Sequence, residues 1–135
     1  MRLRSLLLLL PLAVLAAGCG RASSKPYTAA GTATCLKSKG FTHVTTNPTK
    51  VGFIASFADN GGLVATASGG NLVTIAFAGD AAGAKTTEKT FRAHASPFYR
   101  RHMADIMQSQ RNAVLVWTTS PTQTQITDAL GCLGS

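Results

Sequence analysis

Basic side chains are concentrated between residues 89 and 111 of this sequence. The group comprises Lys89, Arg92, Arg100, Arg101, His102 and Arg111. A guanidinium group binds phosphate or carboxylate through two parallel hydrogen bonds, so the four arginines are the candidate anion-binding residues. Their expected partners are anionic lipid headgroups or a phosphate-bearing cell-wall polymer. A solvated helix face is the alternative interpretation, because most runs of charge have no other role.

A second stretch imitates a phosphate-binding loop. Residues 79–86 match the pattern G-x-x-x-x-G-K-[ST], except that Ala84 stands in place of the second glycine. That glycine lets the backbone wrap around the phosphates, and the carboxylate of Asp80 would repel them. We therefore expect no nucleotide at this loop.

The remaining reactive side chains show no catalytic or metal-binding spacing. His43, His94 and His102 are far apart in sequence, and no H-E-x-x-H, G-x-S-x-G or S-x-x-K pattern occurs. The five acidic residues are dispersed, so a catalytic carboxylate pair would have to arise from the fold alone. We expect no metal and no cofactor. Whether the protein is an enzyme stays uncertain, and the balance favours a protein that is not one.

The N-terminus has the order of a signal peptide. Two arginines precede an apolar run that ends in Leu15-Ala16-Ala17-Gly18-Cys19. This segment resembles the lipobox of bacterial lipoproteins, and the domain that follows resembles no family. The resemblance implies a lipid on Cys19, removal of residues 1–18 and a lipidated tether over 19–27. An ordinary signal peptide and a retained anchor are the alternatives, although the run is shorter than the ~20 residues that span a bilayer.

The extracytoplasmic compartment implied by this segment guides the interpretation of the net charge and of the cysteine count. The mature chain from Cys19 to Ser135 has 117 residues, enough for a single domain over 28–135, and a formal charge of +6. That charge favours an anionic surface and does not indicate nucleic acid. With Cys19 acylated, Cys35 and Cys132 remain, and an even count in an oxidising space predicts a disulfide.

The first half of the predicted domain combines helices with a hairpin. We predict a helix over 28–39, a strand over 41–45, and strands over 63–67 and 72–77 joined by Ser68-Gly69-Gly70-Asn71. Val73, Ile75 and Phe77 should share the core face of the second hairpin strand. Between them, Asn47-Pro48 favours a helix over 48–58, while the alternating apolar residues there also fit a strand.

The second half is predicted to contain three helices and one apolar strand. A helix runs from the N-cap Asp80 to Ala95, and an amphipathic helix runs from Ser96-Pro97 to Gln110. A central strand follows over 112–118. The last helix begins at a capping box, Ser120-Pro121-Thr122-Gln123, and buries Ile126. The disulfide would join this last helix to the first.

These elements predict an α+β domain with a sheet of about four strands and helices packed on it. The element order resembles a ferredoxin-like plait without its first strand, and the strand order stays open. For function we expect a membrane-anchored, extracytoplasmic lipoprotein that acts as a binding or accessory module. A receptor for a small anionic ligand and an enzyme with a site hidden from sequence are the alternatives. A protein partner is not identifiable.

Overall fold

The computed structural model describes residues 24–135. The predicted signal peptide and Cys19 lie outside the described residues. The helices are α1 (Ala29–Ser38), α2 (Phe53–Ser56), α3 (Ala81–His94), α4 (Pro97–Ile106) and α5 (Gln123–Gly131), and the strands are β1 (Thr42–Thr45), β2 (Gly62–Thr66), β3 (Leu72–Phe77), β4 (Met107–Gln110) and β5 (Ala113–Trp117). In residues 24–135, none of the helices combines the length and the hydropathy that crossing a membrane requires.

The strands form one antiparallel sheet in the order β1-β2-β3-β5-β4. The α+β class is therefore confirmed. The predicted ferredoxin-plait order is not confirmed, because β1, β2 and β3 form a meander and β5 then lies between β3 and β4. The hairpin of β2 and β3 is confirmed, with Leu63 opposite Ile75 and a short 3-10 turn over Ser68–Gly70.

The sheet has five strands where about four were expected, because β4 was taken for the end of a helix. Met107 is buried and pairs with Val116, and Gln110 pairs with Ala113. Without β4, the edge of β5 that faces away from β3 would carry a row of backbone donors and acceptors without partners. The backbone of β4 satisfies them. The side chains agree, since Trp117 donates its indole N–H to Gln108 Oε1 at 2.6 Å.

One face of the sheet is completely covered. Leu63, Val73, Ile75, Phe77 and Leu115 have no exposed surface. The same core cluster contains Leu36 of α1, Ala129 of α5 and Leu133, which follows the end of α5. The predicted core face of β3 is therefore confirmed, and α1 and α5 form the layer above it.

The predicted disulfide joins these two helices. Cys35 and Cys132 are bonded with their Cα atoms 5.3 Å apart, within the range that a disulfide requires. The bridge spans 97 positions of sequence, so it links nearly the two ends of the described chain. It fixes α5 beside α1 on the covered face.

The opposite face carries α2, α3 and α4 and is only partly covered. Val51 and Ala55 pack against Ala76 in a small separate cluster. Helix α3 contacts β3 and β5, and α4 contacts β4 and β5. The alternation of the strands places Thr74 and Val116 on this face, and both keep some exposed surface.

The segment over 48–58 contains a short helix and no strand. Gly52 adopts φ 83°, a left-handed conformation that suits glycine, and α2 follows for one turn. The segment sits close to the sheet because Gly62 has no side chain. A Cβ at Gly62 would lie 2.4 Å from the carbonyl oxygen of Ala55.

Polar side chains start the longer helices. Asp80 accepts from the backbone N–H of Gly83 at 2.7 Å, as predicted, and Ser96 caps α4 ahead of Pro97. The capping box of α5 lies two residues later than predicted, because the cap is Thr122 and its partner is Gln125. Gln125 is fixed there by donating to the carbonyl oxygen of Ser68 at 2.8 Å.

This contact also turns α5 relative to the expected face. Gln125 is buried, whereas Ile126, which the sequence placed in the core, is only partly buried. Asn71 supports the arrangement, since its amide donates to Gln125 Oε1 and to the carbonyl oxygen of Thr119. A buried polar network at the hairpin turn therefore decides the orientation of the helix start.

Candidate functional site

The open face of the sheet holds an apolar groove between α2 and the pair α3 and α4. Its volume is about 180 Å³. The side chains of Thr74 and Val116 form the floor, and Ile54 lies on one wall. The opposite wall consists of Phe91, His94, Ala95, Tyr99 and Met103. Such a hollow offers an apolar group contact on three sides, with hydroxyl and imidazole groups at its margin.

A second hollow of about 200 Å³ lies on the other side of Tyr99. It is bounded by Phe98, His102 and Ile106 of α4 and by the chain over 118–120, which follows β5. Tyr99 lines both hollows, so its ring separates them. The two together form a continuous surface along α4, which we call the α4 groove and define by the lining residues of both hollows.

Four aromatic side chains are exposed on α2 and α4. Their exposed fractions are 77% for Phe53, 75% for Phe57, 57% for Phe98 and 36% for Tyr99. The Phe53 and Phe57 rings contact each other edge to face, with centroids 5.0 Å apart. Phe98 packs on Tyr99 and on His102. Scattered exposed apolar residues are ordinary, but four aromatic rings on one side of a small domain indicate a contact surface.

The sequence interpretation missed this surface. Helix α2 is a single turn that begins at Phe53 and ends before Phe57, and the residue of that turn buried against the sheet is Ala55. The available signal was the pairing of Phe53 and Phe57 at positions i and i+4 beside a left-handed glycine.

The candidate anion-binding arginines do not lie at one place. Arg92, Arg100 and Arg101 are exposed near the junction of α3 and α4, whereas Arg111 lies in the turn between β4 and β5. Arg111 lines a hollow with Asp80 at the start of α3. Arg92 is twelve residues further along α3, which is about 18 Å of helix axis. Arg92, Arg100 and Arg101 therefore lie at the end of α3 and the start of α4, away from Arg111, and none of the four lines the α4 groove.

Arg111 holds the start of the described chain. Its guanidinium carbon lies 4.3 Å from the centroid of the Tyr27 ring, and its Nη2 donates to the carbonyl oxygen of Lys25. Asn112 adds two hydrogen bonds to the backbone of Tyr27, at 2.8 and 2.9 Å. Tyr27, the last residue of the predicted tether, is thereby buried in the core.

The loop that imitates a phosphate site is occupied by carboxylates. Asp80 caps the helix through the N–H of Gly83, and Asp59 accepts from the N–H of Gly79 at 3.0 Å. A phosphate at this loop would compete for the N–H groups of Gly79 and Gly83, and the carboxylates of Asp59 and Asp80 would repel it. Nucleotide binding at residues 79–86 is therefore disfavoured by the geometry as well as by Ala84.

Two of the three histidines, His94 and His102, line the α4 groove. His94 is at the end of α3 with Nδ1 2.9 Å from the carbonyl oxygen of Thr90, and His102 is on α4. In the part of the chain that the structure describes, no three His, Cys, Asp or Glu side chains are grouped as metal ligands. His43 is exposed on the edge strand β1.

The α4 groove therefore combines an apolar interior with aromatic rings and two imidazole groups. Among residues 24–135, the side chains that line its two hollows include no carboxylate and two histidines. This composition fits non-covalent capture of an apolar group better than acid–base chemistry, which needs a matched proton donor and acceptor. Comparisons of the chain with protein-family models, curated proteins and solved structures find no match.

Proposed function

We propose that this protein is an extracytoplasmic lipoprotein, anchored to the cell membrane through a lipid on Cys19, that acts by binding a ligand in the α4 groove. The observation that carries the binding role is the groove itself, an apolar hollow on the open face of the sheet with exposed aromatic rings beside it. The compartment is supported by the lipobox-like segment and by the disulfide, which is typical of oxidising environments.

The ligand class follows from the margins of the groove. An apolar chain or ring fits between Ile54 and Tyr99 over the floor of the sheet. The stretch 85–106, which supplies most of the groove lining, carries five Lys or Arg and two Asp or Glu, so the potential around the groove is positive. The proposed ligand is therefore an amphiphile with an apolar body and a negative group, such as an anionic lipid or an acidic segment of a cell-wall polymer.

A specific observation also supports the narrower alternative, a receptor for a small anionic ligand. Arg100 and Arg101 are consecutive exposed residues of α4, directly after Tyr99 in sequence. An anion held by these arginines alone would not need the apolar interior. The two functions differ in which substitution abolishes binding.

The anchor is tested by cell fractionation with the Cys19→Ala variant. We expect the wild type in the membrane fraction with a mass that includes the lipid, and the variant without lipid. If wild-type protein retains residues 1–18 and no lipid is found by mass spectrometry, the lipoprotein assignment is wrong.

Binding is tested with anilinonaphthalene sulfonate, a probe with an apolar ring system and one negative charge. Thr74→Tyr fills the floor of the groove and should weaken probe binding at least tenfold, which corresponds to about 1.4 kcal/mol. Thr42→Tyr is the matched control, an exposed strand threonine outside the groove, and should change binding less than twofold.

The same titration separates the alternatives. If Thr74→Tyr has no effect while Arg100→Ala together with Arg101→Ala abolishes binding of the probe, the small-anion receptor is correct. If neither variant differs from the wild type, the α4 groove is not the binding site.

A further inference from the structure

The Phe53 and Phe57 side chains form an apolar projection on an otherwise well-packed segment. Their rings contact each other and are exposed over three quarters of their surface. The backbone beneath them is fixed, since Val51 and Ala55 are 1% exposed and the chain rests against Gly62. The two rings are therefore held outward by a rigid support and do not belong to a collapsed loop.

This projection lies at the end of the sheet where the described chain begins. Asp59, two residues after Phe57, bonds to the backbone of Gly79. Gly79 in turn lines a hollow together with Ser24, the first described residue, and Arg111. One small region of the domain therefore contains the start of the chain and the residues that follow α2.

The length of the chain before Ser24 limits how far this end is from the proposed anchor. Ser24 lies five positions after Cys19, and a fully extended chain over five positions spans about 17 Å. A lipid on Cys19 would hold this end of the domain at the membrane surface. The opposite end of the sheet, at the hairpin turn between β2 and β3, is further away by about the length of β3, roughly 20 Å.

We propose that Phe53 and Phe57 insert into the interfacial layer of an anionic phospholipid bilayer and orient the domain on the membrane. The inference rests on the proposed anchor at Cys19. Aromatic rings on a short, exposed helical turn are suited to the boundary between headgroups and acyl chains, where apolar surface is removed from water.

The charges around the projection favour anionic headgroups. Lys50 is exposed three residues before Phe53, and Lys25 and Arg111 lie at the same end of the domain. Two carboxylates are also present there, Asp59 and Asp80, but each accepts a hydrogen bond from a backbone N–H. Lysine and arginine close to a negative membrane surface add to binding through long-range attraction.

The orientation is tested with tryptophan as a depth probe. The mature chain, residues 19–135, is coupled through the Cys19 thiol to a maleimide lipid in vesicles that contain phosphatidylglycerol and brominated lipid. Chemical coupling makes the experiment independent of lipidation in cells, so failure of the proposed anchor and failure of this inference remain distinguishable. Trp117 is buried and contributes the same background to every variant.

We expect the added fluorescence of Phe57→Trp to shift to the blue and to fall at least twofold with brominated lipid. Gln123→Trp is the control, an exposed position at the start of α5 beside the hairpin turn and outside the α4 groove, and should be quenched by less than a tenth. An unquenched Phe57→Trp overturns the proposal, as does equal quenching at both positions. If Phe57→Trp is unquenched and the protein dimerises in sedimentation experiments unless Phe53 and Phe57 are changed to serine, a second copy is the occupant instead.

Discussion

Removal of the Cys35–Cys132 bridge should cost this domain much of its stability. The proposed variant carries Cys35→Ala together with Cys132→Ala, so that no free thiol remains. The bridge closes a loop across 97 positions, and loop closure of that size restricts the unfolded chain by about 4–5 kcal/mol in the chain-entropy model. Domains of this length have total stabilities of roughly 5–15 kcal/mol.

Little else in the structure replaces the bridge between α1 and α5. The ion pair of Lys39 and Asp128 has a 3.8 Å separation, and half of the Lys39 side chain is exposed, so water screens it. Apolar contacts of Leu36, Ala129 and Leu133 remain. These contacts stabilise the folded state, but unlike the bridge they do not restrict the conformations of the unfolded chain.

The measurement is urea unfolding followed by circular dichroism. For a slope of about 1.5 kcal/mol per molar urea, a loss of 4–5 kcal/mol lowers the midpoint by about 3 M. Wild type treated with a reductant should unfold at the midpoint of the double variant. Thr34→Ala, an exposed change in the same helix, is the control and should shift stability by less than about 0.5 kcal/mol.

A loss below about 1 kcal/mol in the double variant would refute the reasoning. So would an oxidised wild type that unfolds at the same urea concentration as the reduced protein. Either result would mean that the unfolded chain is already as restricted without the bridge as with it.

Three further changes test individual contacts by the same unfolding measurement. Asp80→Ala removes the cap from the N–H of Gly83 and should cost about 1 kcal/mol, whereas Asp80→Asn should retain most of the cap; equal losses would contradict the capping role. Asn112→Ala leaves buried backbone groups without partners and should cost about 2–4 kcal/mol, and a loss below 1 kcal/mol would show that water replaces the amide. Gly62→Ala should cost at least about 2 kcal/mol and increase proteolysis near Ala55, because the added Cβ meets the Ala55 carbonyl; an unchanged midpoint would contradict that close approach.

Several features of the fold were predictable because neighbouring residues in sequence determine them. The hairpin of β2 and β3 follows from alternating apolar residues on both sides of Ser68-Gly69-Gly70-Asn71. The start of α3 follows from Asp80, whose side chain reaches only the next turn. The strand β4 was not predictable in this way. Met107 fits a helical pattern equally well, and its partner Val116 is in another strand.

The α4 groove and the exposed phenylalanines show the same limit at the level of the site. Helical spacing does not say whether Phe57 and Tyr99 are buried, because burial depends on the surface beneath each side chain. That surface is set by Gly62 on β2, which lets Ala55 approach the sheet, and by the hollow lined by Ile54 and Tyr99. The arginines are a second instance, since Arg111 and Arg92 are separated by the length of a helix that sequence distance does not reveal.

The sequence alone predicted the α+β class and the local caps and turns, because these depend on residue type and short spacing. It also predicted the pairing of Cys35 with Cys132, because these are the two cysteines that follow Cys19. The tertiary structure decided the strand order, the fifth strand and the open face that holds the groove. These depend on which elements meet and on how much surface each covers. The strand order and the open face are determined by packing among residues that are distant in sequence. The type of a single residue carries little information about such packing.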